Sequence, residues 1–383
     1  MFFVQESISL DMSDSKRTLL ISILLPDLTG GGAERVMIDL ARAIVFRGYA
    51  IEFVLMRAHG EFLHEAQTEF SIVDLSTPRT RNVPLALARY LFNRKPCAVI
   101  ANMWPLTSSA VLGRLLTRHK CKLMLVEHSI LSREYAPRGK LHNTIMALVI
   151  TATYRIADVV LAVSKGSAKD TAYLAALKQN RVNVVNNPIP QKTIPDVYKT
   201  ELVDNFWNCM PGQRILTVGS LKAQKNHALL LKSFALMAHK DAKLIILGSG
   251  KGDSESILRS LAKELRVDKR VIFAGFHLDP SPFYATADLF VLSSDYEGFG
   301  NVIVEALSFG LPVVSTDCPS GPAEILENGR FGRLVPVGSS VELAQAMDVA
   351  LDEPVNCYDQ KRRASDFGPD IAACKYLNLL NLS

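Results

Sequence analysis

The sequence predicts an α/β protein built as two similar halves with a cleft between them. Apolar runs alternate with segments of helical period along the chain, the signature of parallel sheets covered by helices. The pattern breaks at the polar, proline-bearing Asn186-Asn187-Pro188-Ile189-Pro190 and then restarts. At 383 residues the chain is long for one core and suits two domains of ordinary size.

In the first half, strands are expected at 19–25, 51–56, 71–74, 98–101, 122–126, 159–163 and 182–185. Helices fall between them, such as 33–46, which stops at Arg47-Gly48. After the break, strands are expected at 214–218, 243–247, 270–274, 288–292 and 311–315, with a last helix at 371–380. Two α/β halves on a proline-bearing linker imply a ligand crevice at the sheets' facing ends.

Hydrophobic residues make up 48% and charged residues 21%, a soluble globular balance. No apolar stretch reaches the ~18 residues a membrane span requires; the nearest, 145–153, suits a buried helix. The start, MFFVQESISLDMSDSKR, carries Glu6, Asp11 and Asp14 and reads as no secretory signal. Cysteines 97, 121, 209, 318, 357 and 374 are scattered without a Cys-x-x-Cys pair. That fits reduced thiols in a cytosolic protein better than a disulfide framework or a zinc site.

The net charge of +5 hides an asymmetry: residues 79–140 hold 12 Lys and Arg against 2 Asp and Glu. There RTRNVPLALARYLFNRK sets Arg81, Arg89, Arg94 and Lys95 around Leu85, Leu87, Leu91 and Phe92, and Arg114, Arg118, Lys120 and Lys122 follow. A basic amphipathic segment of this kind predicts an anionic membrane surface or lipid head group as partner. Nucleic acid is not expected, because no recognised binding module accompanies the charge.

Candidate site residues cluster where strands meet helices. Glu297-Gly298-Phe299-Gly300-Asn301-Val302-Ile303-Val304-Glu305 follows an apolar strand and opens an amphipathic helix, with a carboxylate at each end. Free backbone N–H groups and a positive helix end there suit a phosphate. With a helix start near Asn301, Glu305 lies roughly 6 Å further in. One carboxylate is then placed for hydroxyls on each side of a bound pyrophosphate, the layout of a nucleotide sugar. Gly30-Gly31-Gly32 likewise precedes a helix, and the dinucleotide G-x-G-x-x-G pattern is absent. Gly219-Ser220 ends a strand six residues before Lys225, a point charge suited to a departing diphosphate. Gly248-Ser249-Gly250-Lys251-Gly252 lacks the features of a triphosphate-binding loop and reads as a glycine turn. Glu127-His128 ends the fifth strand, facing the crevice. No Asp-x-Asp pair occurs, so no metal is expected.

The run EGFGNVIVEALSFGLPVV, with STDCPSGPAEIL after it and GGGAERV at 30–36, closely resembles the retaining glycosyltransferases of family 4. The likeness extends over nearly the whole chain. It implies the GT-B fold, two Rossmann-like domains facing each other across a cleft. Residues 1–189 would form the acceptor domain, 190–365 the nucleotide-sugar donor domain, and 366–383 a helix returning to the first. It also implies that Gly31 and Gly32 approach the donor diphosphate, that Gly275 borders the nucleobase, and that Glu305 holds the ribose. Glu297 would hold the donor sugar, beside His128, and Lys225 would neutralise the diphosphate. Gly219, Ser220, Phe299, Gly300, Asn301 and Val302 complete the donor site. The family usually has Arg where this chain has Ser220, which leaves Lys222 as a substitute cation. Asp317 and Glu324 are expected to shape the donor pocket, or Glu324 to cap a helix. The reaction expected is transfer of a hexose or N-acetylhexosamine, UDP-linked, to a lipid-linked or cell-envelope glycan on the inner membrane face, without cofactor or metal. An epimerase of the same fold and a non-catalytic nucleotide-sugar-binding protein are the alternatives.

Overall fold

The computed structural model describes residues 18–192, 194, 207, 212–353 and 355–382; the N-terminal segment through Arg17 and Cys209 lie outside them. Seven short strands make the first sheet: β1 (Leu20–Leu25), β2 (Ala50–Leu55), β3 (Ser71–Asp74), β4 (Ala98–Asn102), β5 (Lys122–Glu127), β6 (Val159–Ala162) and β7 (Val182–Val184). Six make the second: β8 (Arg214–Val218), β9 (Lys243–Leu247), β10 (Val271–Gly275), β11 (Leu289–Leu292), β12 (Val313–Thr316) and β13 (Arg333–Val335). Every pair is parallel, in the orders β3-β2-β1-β4-β5-β6-β7 and β10-β9-β8-β11-β12-β13. Strand order therefore reverses beside β1 in one sheet and beside β8 in the other, the switch points where such sheets open a crevice. The expected strands appear within two residues of their expected ends. β13 was not expected: three residues at a sheet edge, of which one is polar and only Val335 is buried, give no usable apolar run.

The first half carries helices α1 (Gly32–Phe46), α2 (Leu63–Glu69), α3 (Val83–Arg94), α4 (Leu106–Leu115), α5 (Leu131–Glu134), α6 (Lys140–Tyr154) and α7 (Lys165–Leu174). The second carries α8 (His227–Leu236), α9 (Ser254–Glu264), α10 (Ser281–Thr286), α11 (Asn301–Ser308), α12 (Pro322–Ile325) and α13 (Ser340–Asp352). Two more, α14 (Cys357–Ser365) and α15 (Pro369–Leu379), end the described chain. α1 shows why these helices form: Val36, Met37, Leu40, Ala41 and Ile44 recur on one face and are buried, and Gly48, at φ +90°, follows its end.

One apolar cluster runs through both halves, from β1, β2 and α1 to β8, β11 and α11. α15 belongs to it, burying Ala372, Ala373, Tyr376 and Leu377 against α1 of the first half. Arg47 donates to the Asp370 carbonyl at 3.2 Å and Tyr49 to that of Leu382, while Ile189 N–H donates to Phe367 O at 2.8 Å. A fully buried Leu contributes roughly 1.5–3 kcal/mol, so this seam anchors the last helix to the first half.

The basic region divides by face. On α3, Leu87 and Leu91 enter the core, while Leu85 and Phe92 stay exposed beside Arg89 and Lys95. Arg94 pairs with the buried Glu52, and Arg114 with Asp158 on the β6 side, so these two cations serve the domain itself. Among the described residues no helix is long and apolar enough to cross a membrane.

Candidate active site

β1 ends in a glycine loop that feeds α1 and β11 in one that feeds α11, and the two helices begin at the same place. Asn301, the first residue of α11, donates through Nδ2 to the Gly32 carbonyl at the start of α1, 3.2 Å away. Its Oδ1 accepts from Asn187 of the linker at 2.8 Å. A Cβ on Gly32 would stand 3.2 Å from the Asn301 amide nitrogen. Two helix N-termini, one from each half, thus point positive ends at a single cleft, an arrangement that favours an anion.

Glu297 and Lys225 lie on the second half's side of that cleft. Lys225 Nζ donates to Glu297 Oε1 at 2.6 Å, with the Lys225 side chain 17% exposed and that of Glu297 7%. Ser294 donates to the same carboxylate oxygen at 2.6 Å. The loop that carries Lys225 is strapped to the one that carries Glu297: Asn226 donates to Asp295 at 2.8 Å, Gln224 to the Tyr296 carbonyl at 2.8 Å, and Ser293 to the Lys225 carbonyl at 2.9 Å. Gly219 packs under the lysine, where a Cβ would be 3.3 Å from Lys225 Cε. Lys222 is exposed in the loop after Ser220, and its charge acts across the cleft on Glu34 of α1. Burial pushes the Glu34 carboxyl up to about 7.

Glu305 lies five residues into α11 and accepts from Tyr284 Oη at 2.8 Å. Desolvation raises its pKa, against the pull of Tyr284 and of the Lys192 and Arg35 charges. Gly300, at φ +100°, is the residue before α11 and needs glycine's freedom there. Gly275, at φ +73°, accepts from Gly248 N–H at 2.7 Å, which brings the two glycine turns of β9 and β10 together. Gly31 precedes α1, with Glu34 folded back so closely that a Cβ would meet its Oε2 at 2.2 Å. Val302 is half-buried against the core and Phe299 is buried, its ring 5.4 Å from that of Phe367. Only the backbone of Phe299 is therefore available to a ligand.

His128 follows β5 directly, with Nε2 3.0 Å from Asn102 Oδ1. Burial pushes its pKa down to about 4, so the ring is neutral through the physiological range. Its neighbour Glu127 takes no part in orienting it. That carboxylate turns into the domain to accept from Tyr154, Thr107 and the Trp104 N–H, and burial raises its pKa to about 7. Glu324 accepts from the Lys165 N–H, the first of α7, and from Asn186, each at 2.9 Å, so it helps to cap a helix of the other half and ties the halves together. Asp317 is exposed beyond β12. Among the described residues no group of three His, Cys, Asp or Glu side chains is placed to hold a metal ion.

The halves also meet at Gly298. Its carbonyl accepts from Ser164, which caps α7, at 2.6 Å and from Ser320 at 3.0 Å. A Cβ there would lie 1.8 Å from the His128 carbonyl oxygen. Sequence reasoning missed Asn102, Ser164 and Tyr284. Asn102 alone left a sign, a polar residue closing an apolar run.

Comparison with known proteins identifies the family and the fold. Residues 30–192 match the family model described as Glycosyltransferase Family 4, and residues 212–353 the model described as Glycosyl transferases group 1. The chain is 28% identical over 347 residues to the N-acetylgalactosamine-N,N'-diacetylbacillosaminyl-diphospho-undecaprenol 4-alpha-N-acetylgalactosaminyltransferase of Campylobacter jejuni, across 87% of this chain and 90% of that one. It is 24% identical to the amylovoran biosynthesis glycosyltransferase AmsD of Erwinia amylovora, across 92% and 96%. Among solved structures, Anabaena HepE in complex with UDP and glucose superposes with a TM-score of 0.82 at 22% identity, across 95% of this chain and 99% of that one. The chain belongs to glycosyltransferase family 4: it is a glycosyltransferase with the two-domain GT-B fold.

Proposed function

We propose that the protein transfers a hexose or N-acetylhexosamine from a UDP-sugar, with retention of anomeric configuration, to a lipid-linked or cell-envelope glycan. The observation that carries this reading is the convergence of two helix N-termini beside the Lys225–Glu297 pair. A departing diphosphate gains negative charge, and fixed N–H dipoles and a lysine stabilise it without reorganising. Lys225, Lys222 and the amides of Gly31 and Gly32 supply that neutralisation with no metal. Glu297 and His128 hold the donor sugar, and Glu305, oriented by Tyr284, holds the ribose. Gly219, Ser220 and Gly275 border the nucleotide, and Gly300, Asn301 and Val302 complete its cradle. The acceptor hydroxyl enters from the 1–189 domain and attacks the face the diphosphate leaves, and a β-phosphate oxygen takes its proton. The UDP preference draws on HepE, and the lipid-linked glycan on the diphospho-undecaprenol acceptor that the Campylobacter enzyme is named for.

Incubation with UDP-N-acetylglucosamine or UDP-glucose and a polyprenyl-diphosphate glycan should give a new α-linkage, read from the anomeric proton coupling. A β-linked product contradicts retention. An altered sugar formed without acceptor would identify the epimerase instead, and UDP-sugar binding without turnover across an acceptor panel the non-catalytic protein.

The same reading assigns an anionic membrane surface to the first domain. The 145–153 run is only partly buried as a helix: Leu141, Ile145 and Leu148 stand exposed at one-turn and two-turn spacing on α6, and Leu112, Leu115 and Leu116 at the end of α4, which packs on α6. Arg89, Lys95, Arg118, Lys120, Arg138 and Lys140 are exposed on the same 79–140 stretch. Each basic residue near an anionic leaflet is worth about 1 kcal/mol. The protein should float with phosphatidylglycerol vesicles and not with phosphatidylcholine ones, and Ile145→Asp should weaken flotation. Equal behaviour with both lipids contradicts the assignment.

A further inference from the structure

Asn102 ends β4 and is fully buried. Its Nδ2 donates to two carbonyls, Leu24 O at 3.1 Å on β1 and Ile100 O at 3.2 Å on its own strand. Turning the amide over would set its oxygen against both carbonyl oxygens, so Oδ1 is fixed toward β5. There it meets His128 Nε2 at 3.0 Å. A carboxamide oxygen only accepts, and a hydrogen bond at this distance requires the Nε2 proton. Nδ1 of the neutral ring is then a lone pair, and it is buried without a partner. A buried acceptor left unmade costs about 1–3 kcal/mol, which a ligand donor would recover.

We propose that Asn102 is a positioning residue that holds His128 as its Nε2–H tautomer and so presents Nδ1 as acceptor to a hydroxyl of the donor sugar. This rests on the donor reading above for the identity of the hydroxyl, while the tautomer stands on the hydrogen bonds alone. The charged groups on the elements around the ring do not compete for it. Glu127 is engaged by Tyr154 and Thr107, Glu134 by Ser129, and across the cleft Glu297 by Lys225.

Two measurements test it. In 15N-labelled protein, with His128 identified by the signals lost in His128→Gln, the ring should show protonated Nε2 and unprotonated Nδ1 from pH 5.5 to 8. Asn102→Ala should give a mixture of tautomers. Asn102→Asp should give an imidazolium that persists to about pH 7, since a carboxylate beside the ring favours its charged form. A wild-type ring protonated at Nδ1, or one unchanged in Asn102→Ala, overturns the proposal. The second measurement is a double-mutant cycle with whichever of UDP-glucose and UDP-N-acetylglucosamine the wild type turns over. Asn102→Ala should lower kcat/KM about tenfold in wild type and less than twofold in His128→Ala, with UDP affinity unchanged, because residues acting through one another are not additive. In Asn102→Asp the remaining activity should gain an acid limb between pH 5 and 7.5 that wild type lacks. Equal losses in both backgrounds would mark Asn102 as a structural residue only. The predicted tautomer together with full activity in His128→Ala would overturn the hydroxyl contact and leave the donor reading to stand on Lys225 and Glu305.

Discussion

Lys225→Ala is expected to abolish useful turnover and to weaken the fold at once. The lysine supplies the positive charge beside a developing diphosphate, and removing one such stabilising group costs about 10²–10³-fold in kcat. It also neutralises Glu297, which the change would leave buried with only Ser294 as a side-chain partner. Stranding one member of a buried pair costs about 3–5 kcal/mol. Urea unfolding and steady-state kinetics separate the two effects. The double variant Lys225→Met/Glu297→Gln should recover most of the stability, because a neutral pair strands no charge, and yet remain inactive. Recovery of both properties would mean that the pair serves only the fold.

Gly298→Ala should cost about a hundredfold in kcat/KM while UDP still binds. The added methyl would stand 1.8 Å from a backbone oxygen of the opposite domain, where no side chain can swing away. The Ser164 hydrogen bonds to the Gly298 carbonyl and to Ser320 draw the domains together at the same spot. The strain is relieved only by parting them, and a misplacement of about 1 Å at a reacting centre suffices for such a loss. Small-angle scattering should show a slightly larger molecule, with the thermal stability of each domain little changed. Wild-type activity in this variant would show that the two domains need not approach at Gly298 for the reaction.

Much of this molecule could be read locally, and what could not has a physical reason. α11 was legible because an apolar strand, a glycine turn and an amphipathic run follow each other within twenty residues. The same proximity exposed α1 after its glycines. Contacts such as Asn301 with Gly32 join residues 269 apart, and nothing near either residue announces the other. Tyr284 reaches Glu305 from a helix that reads as ordinary core, and Ser164 reads as a plain helix cap until the opposite domain is seen on it. The charge surplus of the first domain was visible, but its division was not: the partners of Arg94 and Arg114 come from neighbouring strands and loops. Glu127 is next to His128 in sequence but serves the domain interior, because the alternation of a strand sends neighbours to opposite faces.

The central claim is that a sugar diphosphate sits between the domains, held by Lys225 at its middle and Glu305 at its ribose. Thermal unfolding with UDP, GDP and ADP and their sugars tests it most directly, because a ligand that binds only the native state stabilises it by about 2.7 kcal/mol at a hundred times its Kd. One nucleotide series, expected to be the uridine one, should raise the Tm by several degrees. The rise should be much reduced in Glu305→Gln and Lys225→Ala. No shift with any of the three, or a shift as large in both variants as in the wild type, would contradict the account.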